Sequence, residues 1–293
     1  MENPFQLQNY SDQTDNELLD QSIAGNKKAL NQLIKRHQIY IYNVAWKMVH
    51  DPNDAWDITQ EVLVKVITNL SKFKRESNFR TWIYRITFNH FLQTQKTKKE
   101  KMVSSFDFFE KTLENAIERE SDMNELEQEE YSEYIQEMKL QCMAGMLLCL
   151  SREQRLVYIL GEVFQADHNL GAELLNVSTG NFRIKLSRAK KDLHNFLNNK
   201  CGLVNKNNPC RCRKQTKFAL ENGILQKGKL SFNLQEEGNF KDFIEPFSNQ
   251  IENFIDEKYR ELYSEQPFKS KFEKQNAIRE IIEDKTIQEL FEK

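Results

Sequence analysis

Residues 51–70 read DPNDAWDITQEVLVKVITNL. Asp51-Pro52 is a turn signal, and proline suits the first position of a helix, where its missing N–H would have no partner anyway. From there Ala55, Ile58, Val62, Val66 and Leu70 recur at steps of three and four, which lays one apolar stripe along a helix from about Pro52 to Leu70. Largely opposite that stripe stand Asp54, Asp57, Gln60 and Glu61. They make either a solvated acidic face or a docking face for a basic or helical partner.

The same periodicity spreads outward. Upstream, Ile23, Ala29, Leu30, Leu33 and Ile34 fall at helical spacing, followed by Ile39, Ile41, Tyr42, Ala45 and Trp46. Downstream, a polar stretch over 72–78 separates the first helix from another that begins near Phe79. Residues from about 140 to 197 form a second compact helical block. With only 9 Gly and 5 Pro in 293 residues, the chain lacks the turn residues of a β fold. The expected class is all-α: two small helical domains at 10–101 and 140–200, joined by an acidic linker at 102–139. A Cys-containing basic segment follows at 201–217. A helical extension follows at 218–293, with Phe240, Phe243, Ile244, Phe247, Ile251, Phe254 and Ile255 as its apolar stripe.

The net charge of -2 hides a segregation. Residues 71–101 carry nine Lys/Arg against Glu76 and Glu100, and residues 178–217 carry eleven against Asp192 alone. Between them, residues 102–139 hold twelve acids and three bases. Cationic segments supply the sequence-independent part of nucleic-acid affinity, so local charge matters more than the total. The N-terminal stretch MENPFQLQNYSDQTDNELL has neither the basic nor the apolar region of a signal peptide. The longest apolar run, Met143 to Leu150, is far short of a membrane span. A cytoplasmic location without membrane insertion is expected. Five cysteines, an odd number, do not suggest a disulfide framework.

Near the end of the second block, Ser151 can cap a helix with Gln154 as its capping-box partner. Leu156, Val157, Ile159, Leu160, Val163 and Phe164 give that helix a broad apolar face. A second helix spans about Asn169 to Leu175. Val177-Ser178 turns the chain, and a third helix runs from about Thr179 to Leu197. On it Phe182, Leu186, Ala189, Leu193 and Phe196 point one way, while Asn181, Ile184, Ser187, Arg188 and Lys191 point the other, flanked by Arg183 and Lys185. Asn and Arg read base edges, Ile meets a thymine methyl, and flanking cations reach phosphate, so this face suits a major groove. In the first block, the stretch from Phe73 to Asn89 interleaves aromatics with basic and amide groups, which suits unpaired bases. Trp82, Ile83 and Ile86 read as core, and the loop before Phe79 reads as the base pocket.

Together these segments resemble the extracytoplasmic-function (ECF) sigma factors of bacterial RNA polymerase, with a Cys-containing C-terminal extension. The resemblance covers roughly residues 15–200. It rests on the run from Asp51 to Val62, on Phe73, on Phe79-Arg80-Thr81-Trp82-Ile83-Tyr84-Arg85-Ile86 and on Asn89. In the second block it rests on Leu150-Ser151-Arg152-Glu153-Gln154-Arg155 and on Val177-Ser178 through Ala189. The resemblance implies roles. Asp54, Asp57, Gln60 and Glu61 would bind core polymerase. Lys74, Arg75, Ser77, Asn78, Phe79, Arg80, Trp82, Arg85 and Asn89 would melt and read the minus-ten element of promoter DNA. Ser178, Thr179, Asn181, Arg183, Ile184, Lys185, Ser187, Arg188 and Lys191 would read the minus-thirty-five element. The acidic connector would lie in the basic channel of the polymerase later used by RNA. An anti-sigma factor would be a further partner. Where the family usually has Glu-Ile-Ala, this chain has Leu170-Gly171-Ala172, which removes an apolar side chain and weakens helix propensity.

His194, Cys201, Cys210 and Cys212 offer a four-ligand zinc set; reversible oxidation and inert thiols are the other readings of the same cluster. No other cofactor is expected. A helix-turn-helix regulator that acts without polymerase is the alternative to a sigma factor. An enzyme is disfavoured by the lack of a Walker loop, a Gly-rich nucleotide fingerprint, a nucleophile elbow or an HExxH motif.

Overall fold

Helix starts in this chain are set by short polar side chains that accept the first free N–H groups. In the computed structural model, Asp51 Oδ1 accepts from the N–H groups of Asn53 and Asp54 at 2.9 and 3.1 Å, with Pro52 at the first helical position. Asn26, Asn78, Asn124, Ser151 and Asp167 act in the same way on five other helices. At Ser151 the expected capping box with Gln154 closes in both directions.

The structure describes residues 11–103, 105–119, 122–228 and 230, all helical or irregular apart from a single bridge residue, Gln226. The apolar stripe expected at 240–255 lies outside them. The described residues fall into two compact units, one built from 11–97 and 164–182, the other from 98–163 and 183–230. In the first unit run α1 (Asp12–Ile23), α2 (Lys27–Val49), α3 (Pro52–Thr68), a 3-10 turn Leu70–Lys72, α4 (Phe79–Gln93) and α10 (His168–Leu175). Gly25, at φ 91°, ends the first helix in the left-handed region, and Asn26 restarts the chain as the cap of α2. Leu33, Ile41, Val44, Ala45, Val62, Val66 and Phe88 form the centre, each essentially closed to solvent. Asp15, buried on α1, accepts from Arg36 Nε at 2.7 Å and lies 2.7 Å from His37 Nε2, which pins α1 to α2.

The second unit holds α5 (Lys98–Met102), α6 (Phe106–Arg119), α7 (Glu125–Glu130), α8 (Ser132–Cys149), α9 (Arg152–Tyr158), a π-helical turn Ile159–Val163, most of α11 (Thr179–Lys200) and α12 (Cys212–Glu221). Residues 102–139, read from the sequence as a connector, are largely helical here. Leu113 and Ala116 are buried, and the rings of Phe106 and Phe109 lie 5.0 and 5.9 Å from that of Phe196. The acids of this stretch meet the bases of the segment that follows α11. Lys200 pairs with Glu110, Arg213 Nη2 with Asp122 Oδ2 at 2.6 Å, and Lys217 with Glu127 at 3.8 Å. Charges that looked segregated along the chain are thus partly neutralised in space.

Glu100 is 2% exposed, and it accepts from Arg152 Nε at 2.9 Å, Arg152 Nη2 at 2.6 Å and Arg155 Nη1 at 2.9 Å. Arg155 also donates to the carbonyls of Leu147, Leu148 and Leu150, which closes the turn from α8 into α9. Removing the carboxylate takes the counter-charge from the buried Arg155 and the half-buried Arg152, a change that typically costs about 3–5 kcal/mol. Glu100→Ala should therefore lower unfolding free energy by about that amount in urea titration. Lys98→Ala, on the same short helix, should shift it by less than about 0.5 kcal/mol.

Candidate nucleic-acid interface

α3 is anchored by its apolar stripe, and the opposite face is wet. Asp57 and Glu61 are exposed, Asp54 and Gln60 half-buried, and Val64 stands exposed in the same row. Val64 breaks the stripe period, which is the signal by which it could have been found as part of this face. Glu61 does not stand alone. Lys65 Nζ donates to His90 Nδ1 at 2.7 Å, so the ring proton sits on Nε2, which faces Glu61 Oε2 at 3.2 Å without hydrogen-bond alignment. His90 sits near the end of α4, and this contact fixes the α3 face against it. Burial, then the Lys65 charge, hold the His90 ring below its ordinary value of 6.5, with Glu61 opposing.

Before α4 the chain turns through residues 73–78. Arg75 adopts a left-handed conformation, φ 59°, and pairs with Asp20. Lys74, Arg75 and Asn78 are exposed, and Ser77 half-exposed. Asn78 caps α4 by accepting from the Thr81 N–H at 2.7 Å. Phe79 is only 2% exposed: its ring stacks on Trp82 at 5.6 Å and meets Phe73 and His37 edge-on, each at 5.4 Å. Phe79 is therefore a core residue with no face left for a base, contrary to the sequence expectation. Arg80, Trp82 and Arg85 are half-buried along α4, and Asn89 is exposed. Arg85 Nη2 donates to Glu173 Oε1 of α10 at 2.7 Å, and α10 packs on α4 within the first unit.

The helix-turn-helix segment forms as expected in its local structure. α10 ends at Asn176, which is left-handed at φ 53°, and the Ser178 side chain accepts from the Asn181 N–H at 3.2 Å. Thr179 donates to Asn169 at 3.1 Å across the turn. On α11, Asn181, Arg183, Ile184, Ser187, Arg188 and Lys191 are all exposed, Ile184 at 53%. Lys185 differs: its ammonium is held by Glu153 at 2.7 Å. Gly171 has a steric cause. A Cβ there would stand 2.5 Å from Phe182 Cζ, so the ring of α11's first turn occupies the space that a side chain at 171 would need.

Of the four residues read as zinc ligands, Cys201 and Cys212 are half-buried, Cys210 is buried and His194 is half-buried on α11. Among the described residues, no three His, Cys, Asp or Glu side chains form a ready-made metal group. Nor is any described helix long and apolar enough to cross a membrane.

Residues 33–100 match the family model of sigma-70 region 2, and that span takes in α2 from Leu33, all of α3 and α4, and the loop between them. This part of the chain is similar to sigma-70 region 2. The relatives agree with it. The RNA polymerase sigma-H factor of Pseudomonas aeruginosa is 35% identical over 75 residues, which covers 26% of this chain and 39% of that one. The ECF RNA polymerase sigma-E factor of Haemophilus influenzae is 37% identical over 76 residues, covering 26% and 40%. The matched stretch thus spans about two fifths of these curated relatives. A probable RNA polymerase sigma factor of Haemophilus influenzae is 27% identical over 158 residues, covering 52% and 81%. Among solved structures, CnrH in complex with the cytosolic domain of CnrY gives a TM-score of 0.41 at 20% identity over 63% of this chain and 97% of that one.

Two outcomes test this geometry. Gly171→Ile should destabilise by about 1–3 kcal/mol through overpacking, and Phe182→Leu in the same chain should recover part of that loss in thermal melts. A histidine held below its ordinary value favours the folded state only above that value, so its contribution is lost as pH falls. The melting temperature of the wild type should therefore drop more steeply below pH 6.5 than that of His90→Gln.

Proposed function

We propose that the chain is a sigma factor of the ECF class, which binds core RNA polymerase and directs it to promoter DNA without catalytic activity of its own. The observation that carries this reading is the match over residues 33–100, because it falls on the elements that hold the α3 face and the 74–78 loop. In this reading Asp57, Gln60, Glu61 and the apolar Val64 dock on the polymerase. The exposed groups at 74–78, with Arg80 and Asn89, meet the melted minus-ten strand, where unpaired bases accept stacking and amide contacts. On α11 the row Asn181, Ile184, Ser187, Arg188 and Lys191 enters the major groove of the minus-thirty-five element. Arg85 has to leave Glu173 before it reaches DNA, so DNA binding and the α4–α10 contact compete. A soluble regulator that uses only the helix-turn-helix is the second reading, and the exposed α11 face favours it by itself.

Run-off transcription with purified core polymerase separates the two. The wild type should start transcripts at defined sites, and Asp57→Ala/Gln60→Ala/Glu61→Ala should abolish initiation while leaving the melting curve in place. Specific duplex binding without polymerase, unaffected by that triple change and not accompanied by initiation, would favour the plain regulator. Arg188→Ala should weaken promoter binding by about 1–3 kcal/mol and relax preference at one base pair.

A further inference from the structure

The loop that the first unit presents at 74–78 is held by α1, a helix that lies ahead of the matched residues 33–100. α1 packs on both flanks of the loop, the 3-10 turn Leu70–Lys72 before it and α4 after it. Two of its carboxylates do the holding. Asp15 is buried and lies 2.7 Å from His37 Nε2, and the His37 ring meets Phe79 edge-on at 5.4 Å. Phe79 in turn meets Phe73 at 5.4 Å, and the Trp82 ring lies 5.2 Å from Phe73 and 5.6 Å from Phe79. These rings close the base of the loop. Further along α1, Asp20 is exposed, and its Oδ1 accepts from Arg75 Nη2 in the middle of the loop.

Arg75 stands at φ 59°, in the left-handed region that residues other than glycine seldom enter. Such a conformation persists where surrounding contacts over-determine it. An exposed ion pair adds little to the stability of a whole chain. It can still select one of several loop conformations close in energy, and a loop already ordered loses less freedom when a ligand binds. The pair also counts against Arg75 as a phosphate contact, because its charge already has a partner in Asp20. We propose that Asp20 and Arg75 form a latch that sets the 74–78 loop for unpaired bases, with Arg75 a positioning residue and not a DNA contact. The latch rests on the loop being the minus-ten site and changes one assignment within it. Lys74, which is exposed, then supplies the loop's charge to phosphate, and Ser77 and Asn78 supply its polar contacts to bases. Both are already oriented: Ser77 Oγ donates to the Asn78 carbonyl at 3.3 Å, and Asn78 Oδ1 accepts from the Thr81 N–H at 2.7 Å.

Core polymerase reconstituted with the full chain is offered a pool of forked DNA whose unpaired strand carries a randomised stretch, and the bound fraction is sequenced. The wild type should enrich a preferred sequence. Asp20→Ala and Arg75→Ala should each flatten that preference at the same positions by about three- to tenfold, the range that ordering one side chain is worth, with melting curves unchanged. Should Asp20→Ala melt early, Asp20→Asn keeps the size of the side chain, removes its charge and repeats the test. The exchange Asp20→Arg/Arg75→Asp should restore the preference, since the ion pair re-forms reversed and aspartate tolerates the left-handed region. On the enriched sequence, log affinity against log salt should have the same slope for Arg75→Ala as for the wild type. A slope smaller by about one would make Arg75 a phosphate contact and overturn the latch. An Asp20→Ala chain that keeps the full preference overturns it too, as does an exchange that restores nothing. A wild type that enriches no sequence overturns the minus-ten assignment of the loop itself, and the latch with it.

Discussion

One buried carboxylate, a buried guanidinium group and a half-buried one hold the second unit in register. Glu100 is the last residue of the region 2 match, and its partners Arg152 and Arg155 lie on α9. A charge placed so deep is stable only with its partners in place, so the contact is all-or-none. Arg155 then spends its remaining donors on the carbonyls where α8 ends. Those carbonyls would otherwise be orphans of a helix C-terminus. The path of α8 into α9, and the position of everything that packs on them, follows from this node.

Around such fixed points the molecule keeps two surfaces open. The outer row of α3 and the outer row of α11 are exposed side chains on well-anchored helices, each held by an apolar stripe on its other side. Rigid support under an exposed polar row is what recognition needs, since little rotamer freedom is left to lose on binding. The basic residues nearby are divided in use. Lys185, Lys200, Arg213 and Lys217 have carboxylate partners inside the molecule, and Arg183, Arg188 and Lys191 have exposed side chains on α11.

Much of this could be read from residues alone. Asp51-Pro52, Ser151 with Gln154, and Ser178 mark their helix starts through local hydrogen bonds, which depend on no distant partner. The α3 and α11 faces follow from period alone. What escaped the sequence depends on long-range pairing. The twelve acids of 102–139 mask Leu113 and Ala116, and their cationic partners lie some ninety residues on, at Lys200 and Arg213. The break at Gly25-Asn26 hides inside a run of helix formers. Phe79 looked available because aromatics beside Arg and Asn suit single strands, but Phe73 and His37 enclose it.

The fit of the Phe182 ring over Gly171 also couples two positions eleven residues apart. With the ring filling the space above a bare backbone, any larger residue at 171 meets it, and any smaller residue at 182 leaves a hole. Neither position can change alone without a less stable chain, so the helix and the turn that follow Asp167 tolerate substitution at these two sites only as a pair.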